Sequence, residues 1–422
     1  MDLRWPKSKA ELEQIQRERK RVAVERAMQA PFFKHRLGNI HLEKLDDEWR
    51  KIPILTKEEL RQIPPGRFHD EFCIQPRSAA VEYWRSGGAT GRPLFYPRSA
   101  EDSEWGIRAF ERAWALIGAT VGDCAHISFP LGVHPVAYLY ARAAINRGIG
   151  TVWCGAGTNT PSETQLELID HLKPTVWLGM ASYGLHLANL AEAKGFDLKN
   201  SSVKKIIVAA EPLSPVKRKK LEHAWGAEVF DHFGMTEGAF VAGEGVGHHG
   251  LHVWADMFYL EVVDEKTGEP APEGEVGSLV VTPLWNNCMT PFLRWSSGDL
   301  VSLSYKENKP EHPWSVFPML RHERRTVGFF KVRGVNINHA DLEDALFRDP
   351  DVVDFRAEVY DSGGNDVLHL HVEMRREAPQ TVVETIRKTF QVKPEVTLLA
   401  RGTIAKDFEA SVKAPRFVDK RG

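Results

Sequence analysis

The chain has 422 residues, a hydrophobic fraction of 42%, a charged fraction of 27% and a formal net charge of −2. Those values suit a globular protein of two or three domains and give no electrostatic reason for a nucleic-acid or anionic-membrane partner. No apolar run is long enough to cross a bilayer, and four scattered cysteines without a CxxC pair predict reduced thiols in a cytoplasmic protein.

The N-terminal stretch SKAELEQIQRERKRVAVERAMQ reads as a charged helix without a signal-peptide core. Further on, AVEYW and LFYPRS read as strands flanking SGGATGRP (86–93). This loop is rich in Gly and carries two hydroxyls and one cation, a composition suited to phosphate. It is not a Walker A loop, because Arg92 and Pro93 stand where Lys and Ser/Thr are needed and no helix follows. Any phosphate there would be held by backbone N–H groups, by Ser86 and Thr90, and by Arg92.

From about 100 to 230, helix and strand patterns alternate. The helices are EDSEWGIRAFERAWALIG, HPVAYLYARAAINRG, SETQLELIDHL, SYGLHLANLAEAKG and SPVKRKKLEHAWG. The strands are CAHISF, GTVWCG, PTVWLG and VKKIIVAA. Short apolar strands between helices predict a parallel sheet covered by helices. After His248 the pattern changes to LHVWADMFYLEVVD, GSLVVTPL and DLVSLSY, an antiparallel, partly barrel-like section. Gly245, Gly247 and Gly250 match GxGxxG, but a strand pattern follows instead of a helix, so no dinucleotide site is expected. The nearby His248, His249 and His252 read as a solvated cluster, since no second ligand group has metal spacing. Beyond Phe329 the elements predict a small α+β domain. The fold expected is therefore α/β, with a large domain over 1–328 and a small mobile one over 329–422.

Four more stretches add chemistry. They are AAEPLS (209–214), HFGMTEG (232–238), RWSSGDL (294–300) and KVRGVNINHADLEDAL (331–346). With SGGATGRP, in this order and spacing, they resemble the core motifs of the adenylate-forming superfamily, and most of all its phenylacetate-CoA ligase branch. The resemblance runs from about residue 50 to the C-terminus. It implies an aryl or arylacetic acid:CoA ligase that uses ATP, Mg²⁺ and coenzyme A through an acyl-adenylate.

The resemblance also implies roles. Ser86, Gly87, Gly88, Thr90, Gly91 and Arg92 would cradle phosphate, and Glu237 would hold Mg²⁺, a hard cation that wants carboxylate oxygen. Thr236 would bond the α-phosphate. Ala210, Glu211 and Pro212 would wall the adenine, and Asp299 and Arg325 would meet the ribose. His134, Tyr183, Phe233 and Gly234 would line the acid pocket. Arg333 and Gly334 would face the CoA path after the small domain turns. The terminal EASVKAPRFVDKR places the adenylation lysine at Lys413, with Lys406 the competing position. A homodimer is expected from the same branch.

Three features depart from the family pattern. The hinge reads RTVGFFK, with Val327 and Gly328 where acidic residues are common. Ser296 stands in the ribose motif where an arginine is common. PMLRHERRT has no cysteine, so no structural zinc is expected. An amine or a carrier-protein thiol as acyl acceptor, and a non-catalytic nucleotide binder, are the competing readings.

Overall fold

The structure is a computed structural model, and it describes residues 5–86, 92–305, 312–325, 329–363, 365–410 and 416–421, with the side chains of residues 324, 325 and 408 left aside. In chain order the elements begin with α1 (Lys9–Ala27), α2 (Leu45–Glu48), α3 (Lys57–Gln62) and α4 (Phe68–Phe72). Then come β1 (Glu82–Arg85), β2 (Phe95–Arg98), α5 (Ala100–Leu116), β3 (Cys124–Ile127), α6 (Pro135–Asn146) and β4 (Gly150–Trp153). The middle holds α7 (Ser162–Leu172), β5 (Val176–Gly179), α8 (Ala181–Lys194), β6 (Lys205–Ala209), α9 (Pro215–Trp225), β7 (Glu228–Met235) and β8 (Ala239–Glu244). Next are β9 (Leu251–Val253), β10 (Phe258–Val263), β11 (Gly277–Pro283), β12 (Trp295–Ser304) and β13 (Met319–Arg325). The last part has β14 (Phe329–Val332), β15 (Val335–Asn338), α10 (His339–Phe347), β16 (Val352–Ser362) and β17 (Asn365–Met374). It closes with α11 (Pro379–Phe390), β18 (Glu395–Leu399), α12 (Ala405–Ala410) and β19 (Phe417–Asp419). The fold is mixed α/β. Among the described residues, no helix is long and apolar enough to cross a membrane.

The chain forms two compact units. One comprises Met1–Gly122, Leu131–Gly150 and Phe230–Thr326. Its strands run β10-β11-β12-β13-β9-β8-β7, and the pairs are antiparallel. The stretch read as one strand, LHVWADMFYLEVVD, is two: β9 ends at Val253, and the chain turns through Trp254 and Met257 before β10. Helix α5 starts where Ser99 and Asp102 form a reciprocal capping box, which satisfies two otherwise orphaned N–H groups. A core of Val24, Phe33, Trp49, Phe72, Tyr96, Phe292 and Trp295 fastens the N-terminal helices beneath β2 and β12. Arg112 and Asp256 add a buried bidentate ion pair, both bonds 2.7 Å.

The other unit comprises Asp123–Pro130, Thr151–Val229 and Val327–Gly422. Here β6, β5 and β3 pair in parallel, as short apolar strands between helices require. Helix α9 begins with Ser214 as N-cap and Pro215 at its first position; α8 ends at Gly195 in the left-handed region (φ 78°). The C-terminal part of this unit has a sheet of order β18-β17-β16-β19, in which only the long β16–β17 pair is antiparallel. β14 and β15 make a separate hairpin. The four cysteines are free.

Candidate functional site

In the first unit, β1 and β2 pair antiparallel, so the phosphate-loop motif joins two strands as its composition predicts. Gly87, Gly88, Thr90 and Gly91 lie outside the described residues. The two described flanks depart from expectation. The Ser86 hydroxyl was expected to face phosphate; instead it is 1% exposed and accepts the Leu94 N–H at 2.9 Å. Ser86 N–H also donates to the Leu94 carbonyl, so this residue closes the base of the hairpin. Arg92 was expected on phosphate too, but its Nη2 donates to the carbonyls of Arg61 at 2.8 Å and Ile63 at 3.1 Å. Short-range composition marks a loop well; it does not show which donors the scaffold already uses.

HFGMTEG forms the end of β7 and the tight turn into β8. Met235 pairs with Ala239, and the ladder shifts register at Phe233 and Gly234. A Cβ on Gly234 would meet the Ala239 carbonyl at 2.5 Å, so glycine there permits the close approach. The turn holds Thr236 and Glu237. Arg98, fully buried, donates through Nη2 to the Thr236 carbonyl at 2.8 Å and the Glu237 carbonyl at 2.9 Å. Its Nη1 reaches Asn286 O and Thr290 Oγ1, and its guanidinium lies 4.5 Å from the centre of the Trp84 ring. Tyr96 donates its hydroxyl to Glu237 Oε1 at 2.9 Å. Burial, then the Glu237 charge, push the Tyr96 phenol well up, so it stays a donor. Glu237 is 6% exposed. A carboxylate this buried, with one oxygen already bonded, suits a hard divalent cation on the other.

Asp299 sits on β12 opposite Arg325 of β13 and is 3% exposed. His322 Nε2 lies 3.1 Å from Asp299 Oδ1, and the Phe233 and His322 rings are 5.7 Å apart. Phe233, Asp299 and Arg325 therefore share one region of the sheet. His134 is the N-cap residue of α6, in another segment of the same unit. Tyr96, Arg98 and His322 contact the candidate residues Thr236, Glu237 and Asp299, and sequence reasoning missed them. Only proximity in sequence to SGGATGRP hinted at the first two, and nothing marked the third.

In the second unit, AAEPLS forms the turn between β6 and α9. Ala210 has φ 69°, a left-handed conformation that costs an alanine about 1–2 kcal/mol. The Glu211 side chain is already committed within the protein. Its Oε1 accepts the Ser182 N–H at 2.6 Å and its Oε2 the Ser182 hydroxyl at 2.8 Å, at the N-terminus of α8. Lys217 Nζ stands 3.6 Å from Glu211 and donates to the Pro212 carbonyl at 3.4 Å. Burial favours the neutral acid, but the Lys217 ammonium and the Ser182 donors hold the Glu211 carboxyl below its usual value.

Tyr183 was expected in the acid pocket. It is 1% exposed, and its hydroxyl is shared with Ser162 Oγ and Gln165 Nε2, each at 2.9 Å. Ser162 Oγ also meets His186 Nε2 at 3.0 Å and donates to Glu409. Tyr183 is thus a member of a buried polar network. Arg333 and Gly334 form the two-residue turn of the β14–β15 hairpin, with φ 50° and 83°. Arg333 N–H donates to Asp366 Oδ2 at 3.1 Å. Lys406 lies exposed on α12, and Lys413 lies outside the described residues.

The histidine cluster after β8 is less solvated than expected. His252 is buried, and burial lowers its pKa to about 4. His248 stacks on Phe230 and pairs with Glu244 at 3.2 Å. A different trio, Glu358, His369 and His371, has its ligand atoms within 4.8 Å of one another. There Lys420 Nζ stands 2.7 Å and Arg356 Nε 3.3 Å from Glu358, so two cations already neutralise the carboxylate a metal would need.

Comparison with known proteins adds the context. Residues 112–284 match the AMP-binding enzyme family. A phenylacetate-coenzyme A ligase of Pseudomonas putida is 27% identical over 97% of this chain and 94% of its own. The enzyme of that name from Thermus thermophilus is 28% identical over 86% of this chain and 83% of its own. Among solved structures, 2-hydroxyisobutyryl-CoA ligase in its postadenylation state aligns with TM-score 0.87 at 23% identity, over 99% of this chain and 91% of that one. Residues 112–284 are therefore similar to AMP-binding enzymes, and the chain as a whole is similar over nearly its full length to phenylacetate-coenzyme A ligases.

Proposed function

We propose that the protein is an AMP-forming ligase that joins an aryl or arylacetic acid to coenzyme A. The observation that carries this reading is the Thr236–Glu237 turn, a buried carboxylate fixed by Tyr96 and by Arg98 on its own backbone, in a chain similar throughout to phenylacetate-coenzyme A ligases. In the first half-reaction an oxygen of the acid attacks the α-phosphorus of ATP. The bond from that phosphorus to the bridging oxygen breaks, and pyrophosphate leaves. In the second, the CoA thiolate attacks the acyl carbon, the mixed-anhydride C–O bond breaks, and AMP leaves.

The residues divide the work. Glu237 would hold Mg²⁺, and the cation would supply charge neutralisation on the phosphates. Thr236 bonds the α-phosphate, and the loop over 87–92 offers its N–H groups. Asp299, oriented by His322, accepts the ribose hydroxyls, and Ala210–Pro212 give the adenine wall. Lys413 bridges the two anions as they approach. The division at 328/329, Mg²⁺ use and a cytoplasmic homodimer belong to the same reading.

The test is ATP–pyrophosphate exchange across a panel of aryl and arylacetic acids, followed by thioester formation. Exchange with at least one acid is expected, and Glu237→Gln should slow it ~10²–10³-fold. Lys413→Ala should slow exchange alike, yet convert supplied acyl-adenylate and CoA at close to the wild-type rate. No exchange with any acid, or equal loss of both half-reactions in folded Lys413→Ala, would defeat the reading.

A further inference from the structure

Helix α9 presents Lys217 as its third residue, with its N–H on the Ser214 cap at 3.2 Å. The side chain is only 3% exposed, too buried for an ammonium without compensation. Two carboxylates compensate it. One is Glu211, at 3.6 Å; the other is Glu343 of α10, whose Oε2 lies 2.6 Å away. Glu343 is itself 3.8 Å from Arg416 Nε, and Arg416 bonds Asp354 at the start of β16.

Five charged groups thus form one line through this unit, three acids alternating with two bases. Their side chains are 3–23% exposed, with Glu211 the most open. The Lys217 and Arg416 pKa values lie above their usual positions. Burial opposes this, but the Glu211 and Glu343 charges outweigh it for Lys217, and Asp354 and Glu343 for Arg416.

The line begins at a strained place. Ala210 is left-handed, and Glu211 next to it reaches three donors, two on Ser182 and the ammonium of Lys217. Lys217 also holds the Pro212 carbonyl. Anything that shifts Lys217 therefore acts on the loop at both Glu211 and Pro212. At the far end, Arg416 lies one residue before β19, Glu343 lies on α10 and Asp354 near the start of β16.

We propose that Lys217 is a positioning residue for the Ala210–Pro212 nucleotide loop, and that the line Glu211–Lys217–Glu343–Arg416–Asp354 couples ATP binding to the seating of α10 and the C-terminal strand β19. This rests on the assignment of that loop to the nucleotide. Removing Glu343 leaves Lys217 with a single counter-charge, so the ammonium moves toward Glu211 and the strained turn relaxes. By linkage, ATP favours the same arrangement of Glu343 and Arg416 that favours ATP.

The experiment measures ATP affinity by calorimetry, and KM for ATP and for the acid, in the full chain. Glu343→Gln, on a different element from the nucleotide loop, should weaken ATP about tenfold and leave the acid KM within twofold. Glu211→Gln should weaken ATP as well, and the double variant should be no weaker than Glu211→Gln alone, because both act through Lys217. Glu409→Gln, which loosens a C-terminal carboxylate from Ser162 without touching the line, should leave ATP within twofold. If Glu343→Gln does not fold, Arg416→Lys keeps the charge, shortens the reach to Glu343, and should weaken ATP threefold or more. Unchanged ATP affinity in the folded variants, additive losses in the double variant, or an equal loss in Glu409→Gln overturns the proposal. A wild-type chain that binds no ATP overturns the functional reading instead.

Discussion

Asp299 shows how a single carboxylate is readied for one partner. It lies on a paired strand, nearly enclosed, with His322 bonded to one oxygen, so little reorganisation is needed when a ligand hydroxyl arrives. A hydrogen bond to a charged acceptor is worth roughly 1.5–3 kcal/mol. Asp299→Ala should therefore raise the KM for ATP about ten- to a hundredfold and leave the KM for the acid within twofold. Steady-state kinetics with each substrate varied in turn checks this. A change confined to the acid would move Asp299 out of the ribose position. Ser86 and Arg92 give the opposite lesson. Their chemistry suits phosphate, yet the Leu94 amide and the Arg61 and Ile63 carbonyls already occupy the Ser86 hydroxyl and Arg92 Nη2.

Secondary structure from α5 to α9 was legible because each element is short, periodic and bounded by Gly, Pro or a capping residue. The break within LHVWADMFYLEVVD was not. Trp254, Ala255 and Met257 are as apolar as strand residues, and the turn is held by backbone bonds that leave no mark in composition. Nor was the line from Glu211 to Asp354, since its members are up to 205 positions apart in the chain (416 − 211). The β14–β15 turn was marked only as a glycine. Arg333 and Gly334 both have positive φ, the pattern of a two-residue hairpin turn whose twist suits the strands. A Cβ at Gly334 meets nothing within 4 Å, so Gly334→Ala isolates the backbone cost. It should lower stability by about 1 kcal/mol in denaturant titration and leave adenylation unchanged. A loss several times larger would mean that Gly334 packs against something more than its own turn.

Across the molecule, buried histidines set the acid limit of stability. Burial lowers His232 to about 3 and His126 to about 4, as it does His252. His232 accordingly stays neutral beside the Tyr140 hydroxyl, 2.7 Å from its Nδ1. The unfolded chain takes up these protons near pH 6.5, and the folded chain resists them. Their contribution is therefore complete above about pH 6.5, is lost as pH falls, and levels off only near pH 3–4. A fully buried histidine loses about 2 kcal/mol between neutrality and pH 5 on this basis. Denaturant midpoints at pH 7 and pH 5, at constant ionic strength, should fall clearly; equal midpoints would contradict neutral burial. The same enclosure governs the sulfur atoms. Burial pushes Cys73 and Cys154 up to about 12, raises Cys288 further and raises half-buried Cys124 as well. Thiolate, the form that reacts with maleimides and iodoacetamides, is scarce at all four near neutral pH. The surface is thus close to blank for alkylating reagents, and one cysteine introduced at an exposed position such as Lys388 could carry a dye or spin label without prior removal of the native four.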